Sequence, residues 1–423
     1  MTAAGAEPLP GAEPLPGAEP LPGAEPLHGA AIGGSFGAML LIGAMTSIYG
    51  PLIPYLETRY GISRATAGAV LGADFGGSLA GVLWAIWAVR RLPNRACLLL
   101  ALGLVLAGSV LLAAASGWWQ VLAGAAVAGG GFGVLDFSLN RLFTLAFEGR
   151  RGAMLNVLNA AYGAGAVLGP LVVALLARHH LPWLFAGTAA LAAVVAPPVA
   201  FVRGRDPGVL PVAVPVAVPV AVPGARARRP SRAVCLFTVA YLLYVGVEVG
   251  VSGWSPTHLK ALGYSTTFAD AVTSAFWLCL TIGRFLVVPV TLRVSPRRIV
   301  LGGIGTACAV LVLSLMTPFA PYGYALAGLA LAPVWPTGLA WLAETHPHGP
   351  AINYLLVASM LGGAVFPYAT GWIITATGTR ATPAVLAAIA AACLAVFAAI
   401  ARTEHSGSDQ SDEAQNPVGL KLP

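Results

Sequence analysis

The sequence predicts an all-α polytopic membrane protein with twelve transmembrane helices arranged as two six-helix halves. The chain of 423 residues is 57% hydrophobic and only 9% charged, whereas soluble domains carry about 25% charged residues. Its apolar residues fall into long runs, and a membrane span needs about 20 such residues. A proline-rich segment near the middle divides these runs into two sets of six. Lipid is therefore the expected surrounding of most of the surface.

The helices follow from the apolar runs, which short polar or arginine-containing loops separate. The helices predicted for the first half are 33–56, 66–89, 96–115, 119–146, 153–177 and 182–202. Those predicted for the second half are 233–256, 270–292, 298–317, 322–342, 351–376 and 382–402.

Two proline repeats and a polar end define the remaining segments. Residues 1–28 contain four hexads of the type Gly-Ala-Glu-Pro-Leu-Pro, and 211–223 repeat Pro-Val-Ala-Val. Proline at such spacing cannot form a helix or bury a core. The predicted boundaries are a disordered tail at 1–32, a first half at 33–204, a cytoplasmic linker at 205–232, a second half at 233–402 and a disordered cytoplasmic tail at 403–423.

The basic residues predict the orientation, because cytoplasmic loops of membrane proteins carry an excess of Arg and Lys. With the N-terminus inside, fourteen basic residues lie in inner loops: Arg90, Arg91, Arg95, Arg150, Arg151, Arg203, Arg205, Arg226, Arg228, Arg229, Arg232, Arg293, Arg297 and Arg298. Five lie in outer loops: Arg59, Arg64, Arg178, Lys260 and Arg380. Both termini are therefore expected in the cytoplasm. Since the arginines occupy short membrane loops, the net charge of +7 does not indicate nucleic-acid binding.

The sequence contains no convincing signature of an enzyme. The five cysteines lie in or beside apolar runs without metal-site or disulfide spacing. Walker, HExxH and GxSxG motifs are absent, and the glycine run 129–133 lies in an apolar helix with no strand before it. We expect no catalytic residue, cofactor or metal. The abundance of Ala, Gly and Arg favours a bacterial source, and hence a bacterial plasma membrane.

Acidic residues inside membrane helices are costly and are functional candidates by default. Asp136 lies near the middle of the fourth helix, and Gly129, Gly133 and Asn140 share its face by helical spacing. This pattern predicts an acid that faces an interior cavity and carries a proton, with Asn140 beside the substrate. Asp74 on the second helix is the other candidate for proton coupling. The alternative for Asp136 is a buried acid paired with Arg141 for structure, and the alternative for Asp74 is a hydrogen bond in helix packing.

The seventh helix carries a polar stripe on an otherwise apolar rod. Tyr241, Tyr244, Glu248 and Ser252 recur at helical spacing. Aromatic hydroxyl groups beside one carboxylate suit a ligand with many hydroxyl groups. Glu248, Tyr244 and Tyr241 are therefore predicted to bind substrate. The alternative is that Glu248 is a structural acid hydrogen-bonded to a neighbouring helix.

Further polar candidates lie on the fifth and eighth helices. Arg284 follows Trp277 and Thr281 along one face of the eighth helix, and Asn156 and Asn159 lie on the fifth. Arg284 could bind an anionic group, pair with an acid or extend to the membrane interface. The two asparagines could bind substrate or join helices. We predict substrate binding by Trp277, Arg284, Asn156 and Asn159.

Several motifs resemble the major facilitator superfamily, and within it the fucose-permease-like sugar transporters. The clearest are LLYVGVEVGVSGWSPTHL at 242–259 and FWLCLTIGR at 276–284. The fourth and fifth helices add GFGVLDFSLN at 131–140 and LNVLNAAYGAGAVLGP at 155–170. Together the resemblance spans about residues 33–402. It implies the major facilitator fold and proton-coupled carriage by alternating access.

The resemblance also assigns roles to two acids, although the chain departs from the family pattern elsewhere. Asp136 matches the family's fourth-helix acid, and Glu248 matches its seventh-helix glutamate. The loop after the second helix reads WAVRRLPNR, with Arg90 where the family has an aspartate. Relatives often have a histidine at the position of Asn159, and asparagine cannot titrate.

Three functions remain open from the sequence. The first is a proton-coupled transporter of a sugar or a similar polar solute, and we expect such a protein to act as a monomer in the lipid bilayer. The second is an efflux antiporter for a drug or secondary metabolite, since the segment 165–170 resembles an antiporter motif. The third is a membrane sensor without transport activity, but neither tail forms the soluble output domain that a sensor would need.

Overall fold

The predicted all-α fold with twelve spans is confirmed. The computed structural model describes residues 27–89, 91–147, 151–202, 231–345 and 351–415. Twelve helices in these ranges are long and apolar enough to cross a membrane, and the same ranges contain no strand. The proline repeats of the N-terminal tail and nearly all of the predicted linker lie outside the described residues.

The twelve spans are labelled α1 to α12 and fall into two halves. Those of the first half are α1 (Gly29–Tyr60), α2 (Arg64–Ala88), α3 (Asn94–Ala113), α4 (Trp118–Ala146), α5 (Met154–Leu176) and α6 (Leu181–Val199). Those of the second half are α7 (Arg232–Ala261), α8 (Thr266–Thr291), α9 (Pro296–Leu313), α10 (Thr317–Glu344), α11 (Tyr354–Thr377) and α12 (Thr379–Thr403).

The same turn joins the first two helices of each half. Gly61 follows α1 with φ +60°, and Gly263 follows α7 with φ +94°, a region that favours glycine. Two residues later, Ser63 and Ser265 cap the next helix by accepting a hydrogen bond from the backbone N–H of the third residue beyond them. The two halves thus repeat both the local sequence Gly-x-Ser and its geometry.

The chain reverses direction between α5 and α6 although its backbone is helical from Arg151 to Val199. A Cβ on Gly165 of α5 would overlap the carbonyl oxygen of Leu40, whereas a Cβ on Gly34 would approach the backbone of Val199 to 2.8 Å. The middle of α5 therefore packs against the middle of α1, and the end of α6 packs against the beginning of α1.

The tenth span is interrupted in its middle. It consists of a 3₁₀ turn at Thr317–Phe319 and two α-helices, Ala320–Leu331 and Val334–Thr345. Pro333 and Pro336 lie at the interruption, and proline cannot donate a backbone hydrogen bond. The single predicted helix 322–342 is therefore two helices, and carbonyl groups near the junction are free to accept side-chain hydrogen bonds.

The two halves meet tightly on the side at which α1 ends, which the loop charges predict to be the outer side. A Cβ on Gly50 of α1 would overlap the carbonyl oxygen of Ser252 on α7. Nearby, the indole N–H of Trp254 donates to the carbonyl oxygen of Pro367 at 2.9 Å, and the indole ring covers Gly68 of the first half. We call the backbone contact between Gly50 and Ser252 the outer seam.

The helical limits differ from the prediction at both ends of the chain. The first helix begins at Gly29 rather than residue 33, and the His28 side chain accepts a hydrogen bond from the Ala30 N–H at 3.3 Å. The last helix, Thr382–Gln415, continues into the segment expected to be disordered. No proline occurs between Pro383 and Pro417, so the polar sequence there does not interrupt the backbone hydrogen bonds.

Candidate functional site

A line of polar side chains joins α4 and α5 near the centre of the bundle. The Asn140 side-chain amide donates to Asp136 Oδ1 at 3.0 Å and to the Asp136 carbonyl oxygen at 2.9 Å. Asn159 on α5 donates in turn to Asn140 Oδ1 at 3.3 Å. The helical spacing of Asp136 and Asn140 therefore holds the carboxylate against an amide, and the neighbouring helix holds that amide.

The eighth span contributes two donors from the opposite half. A Cβ on Gly163 of α5 would lie 2.5 Å from Thr281 Oγ1, so glycine permits α5 and α8 to pack closely. One turn to either side of Thr281 lie Trp277 and Arg284. The Trp277 indole N–H and the Arg284 Nε–H are buried and have no hydrogen-bond partner among the described residues. An unpaired buried donor costs about 1–3 kcal/mol, so a bound acceptor would be stabilising at these groups.

The seventh span places Tyr244, the partner of its acid, against the interruption in α10. Tyr244 donates to Glu248 Oε2 in a short hydrogen bond and also lies 3.4 Å from the Leu331 carbonyl oxygen. Tyr241 donates to the Trp335 carbonyl oxygen at 2.8 Å and is fully buried. The hydroxyl group of Tyr241, predicted to contact substrate, thus joins two helices.

Electrostatic interactions bring these groups together across the two halves. Arg284 interacts with Asp136, with Tyr162 and with Tyr244. Glu248 interacts with Tyr162 and Tyr244. Arg284 therefore faces the interior and does not extend to the membrane interface. We call this set the central polar cluster: Asp136, Asn140, Asn159, Tyr162, Tyr244, Glu248, Trp277 and Arg284.

Tyr162 belongs to the cluster although the sequence did not single it out. Its hydroxyl group lies near the Thr46 side chain of α1. Its ring lies 6.5 Å from that of Phe132 and 6.5 Å edge-on from that of Trp277 in the other half. The one available signal was its spacing of three residues from Asn159, which places both side chains on one side of α5.

Two predicted residues lie apart from the cluster. Asn156 is exposed and makes no hydrogen bond with the described residues. Asp74 is buried on α2, where its backbone packs against Gly129 of α4, and it interacts electrostatically with Tyr49 of α1. The described ranges contain no group of three His, Cys, Asp or Glu residues that could hold a metal ion.

Comparison with known proteins identifies the family. The sequence profile of the Major Facilitator Superfamily matches residues 35–323 and 254–422. The glucose/mannose transporter GlcP of Bacillus subtilis is 22% identical over 382 residues, which cover 86% of this chain and 92% of that protein.

Solved structures share the fold at low identity. The peptide transporter POT has a TM-score of 0.73 at 13% identity, covering 90% of this chain and 97% of that one. The fucose:proton symporter FucP of E. coli has a TM-score of 0.59 at 18% identity, covering 88% and 98%. With the profile matching both halves and the twelve-helix fold in place, the chain belongs to the Major Facilitator Superfamily of membrane transporters.

Proposed function

We propose that this chain is a proton-coupled transporter of a sugar-like solute. The observation that carries the proposal is the central polar cluster, which draws acids, amides and unpaired donors from both halves into one place. Ionisable groups at this depth mark substrate and proton pathways in membrane proteins. A ligand held between two halves can be released on either side when the halves rock about it.

A sugar fits the chemistry of the cluster. Each sugar hydroxyl group both donates and accepts, and the cluster offers acceptors at Asp136 and Glu248 and unpaired donors at Trp277 and Arg284. The rings of Tyr162 and Trp277 add apolar faces beside these polar groups. The similarity to a glucose/mannose transporter over most of the chain supports the same substrate class.

Asp136 is the proton carrier in this proposal, and Glu248 binds the solute. The Asn140 amide can donate to the charged carboxylate of Asp136 and, by turning its oxygen, can accept from the neutral form. Among the described residues, Tyr244 alone forms a hydrogen bond with Glu248, which leaves the second carboxylate oxygen for substrate. Both termini are proposed to lie in the cytoplasm of a bacterial cell, with the monomer as the working unit.

The direct test is uptake into proteoliposomes. Labelled glucose, mannose, xylose and fucose are supplied with and without an inwardly directed proton gradient. We expect accumulation of at least one sugar that disappears when a protonophore collapses the gradient. Failure of every sugar in the panel, together with efflux of a lipophilic drug, would favour the antiporter instead.

The antiporter alternative rests on the sequence segment 165–170. In the structure Gly165 and Gly169 of this segment pack against the backbone of α1, at Leu40 and Ala44 respectively. This packing is needed by the fold whatever the substrate is, so the segment no longer favours efflux over uptake.

A further inference from the structure

Charged and aromatic side chains from both halves meet at the predicted outer side, away from the central polar cluster. In the first half, Arg64 Nε lies 2.9 Å from Glu57 Oε1. In the second half, Lys260 Nζ lies 3.9 Å from Asp270 Oδ1. The same Nζ atom lies 5.0 Å from the centre of the Tyr55 ring. Lys260 is therefore a cation of the second half that also contacts α1.

The contact of Lys260 with the first half has two components. Its ammonium group lies over the Tyr55 ring, an arrangement that attracts a cation to the face of an aromatic ring. It also interacts electrostatically with Glu57, two residues further along α1. The Lys260 side chain is only 19% exposed, so solvent screens these interactions less than it would at an open surface.

The contact of Lys260 with its own half is different in kind. Asp270 is fully buried, and a buried carboxylate needs a cation or donors near it. Lys260 and Asp270 lie on α7 and α8, which the Gly263 turn connects directly. A movement that separates the halves leaves this pair intact, whereas it breaks the contact with Tyr55 and Glu57.

We propose that Lys260 is a latch that holds the outer side closed and remains with Asp270 when the halves separate. Asp270 keeps the ammonium group in position, and Tyr55 with Glu57 receives it across the interface. Lys260 is thus a positioning residue that sets the balance between the two openings of the transporter. The proposal rests on the alternating access proposed above and is independent of which solute is carried.

The test measures opening of the outer side without any sugar. A Ser252→Cys reporter in the outer seam, where the Ser252 side chain is buried, is labelled with a membrane-impermeant maleimide added from outside to sealed vesicles. The parent chain with its five native cysteines supplies the background. Lys260→Gln should raise the labelling rate about three- to thirty-fold, the range that a partly desolvated cation–aromatic contact supports.

Matched variants separate the latch from a merely structural pair. Tyr55→Leu keeps the Lys260–Asp270 pair and should reproduce the faster labelling, whereas Lys260→Arg should keep the parent rate. Asp270→Asn removes only the pairing within the second half, so it should accelerate labelling less than Lys260→Gln does, because the contact with Tyr55 and Glu57 remains. Should Lys260→Gln fail to fold, Tyr55→Leu decides alone. Unchanged labelling in Tyr55→Leu would overturn the latch, even if sugar uptake is normal. Faster labelling would support the latch, even if the protein transports none of the sugars tested.

Discussion

Replacing Gly50 with alanine should open the predicted outer side of the transporter. A Cβ at residue 50 would lie 2.7 Å from Gly253 Cα and 3.0 Å from the Ser252 carbonyl carbon, and it would overlap the Ser252 carbonyl oxygen. All three are backbone atoms of α7, so no change of side-chain rotamer can relieve the overlap. Carbon atoms pack at about 3.5–4.0 Å. The two helices must therefore separate by roughly 1 Å.

The size of the effect follows from the cost of overpacking. An added methyl group that forces a backbone shift typically costs about 1–3 kcal/mol. Only the conformation with a closed outer seam carries this cost, because the helices part when that side opens. Since about 1.4 kcal/mol corresponds to a factor of ten, the equilibrium should shift about 5- to 140-fold towards the outward-open form.

Distances between spin labels would measure this shift. Labels on Thr58 and Thr267, which are exposed near the outer ends of α1 and α8, report the separation of the halves. Gly50→Ala should move population to longer distances. Gly76→Ala is the matched control, because no heavy atom lies within 4 Å of a Cβ at that position. The same distance distribution in both variants and in the parent would show that the seam does not determine closure.

Five further outcomes concern the cluster, the N-terminal tail and the orientation of the chain. Asp136→Asn should abolish gradient-driven accumulation in vesicles yet permit solute exchange. Full accumulation in this variant would indicate that Asp74, not Asp136, is the proton carrier. Glu248→Gln should weaken solute binding about tenfold with or without a gradient, since hydrogen bonds to charged groups contribute about 1.5–3 kcal/mol; unchanged affinity would exclude Glu248 from the site. Trp277→Phe should weaken binding but leave thermal stability unchanged, because its N–H has no described partner, whereas Trp254→Phe should lower stability. Deleting residues 2–26, which leaves the His28 cap of α1 in place, should leave insertion and melting temperature unaltered. A cysteine at Thr266 should react from outside only, and reaction from the cytoplasm alone would invert the predicted orientation.

The fold could be predicted from the sequence because membrane spans are long apolar runs. Helical periodicity also predicted the contacts that lie within one helix. Tyr244 and Glu248 are four residues apart and do form a hydrogen bond, as do Asp136 and Asn140. These pairs depend only on the geometry of the α-helix, which a sequence specifies locally.

Contacts between helices could not be predicted from helical periodicity. Tyr241 and Tyr244 lie in the same stripe of α7, yet the Tyr241 hydroxyl group is taken by a carbonyl of α10. That outcome depends on the interruption of α10 near Pro333. In the sequence, the only sign of this interruption is a proline inside an apolar run. Tyr162 was overlooked for a related reason: its neighbours Thr46, Phe132 and Trp277 come from three other helices.

The outer seam also bears on ion leakage. Where Gly50 meets the Ser252 carbonyl group, backbone lies directly against backbone, and even a methyl group has no room. A water molecule needs a void of at least about 10–15 Å³ together with polar partners. No file of water molecules can therefore thread this contact, and protons cannot hop through it. The contact thus closes the α1–α7 part of the interface to water and to proton hopping without using any charged side chain.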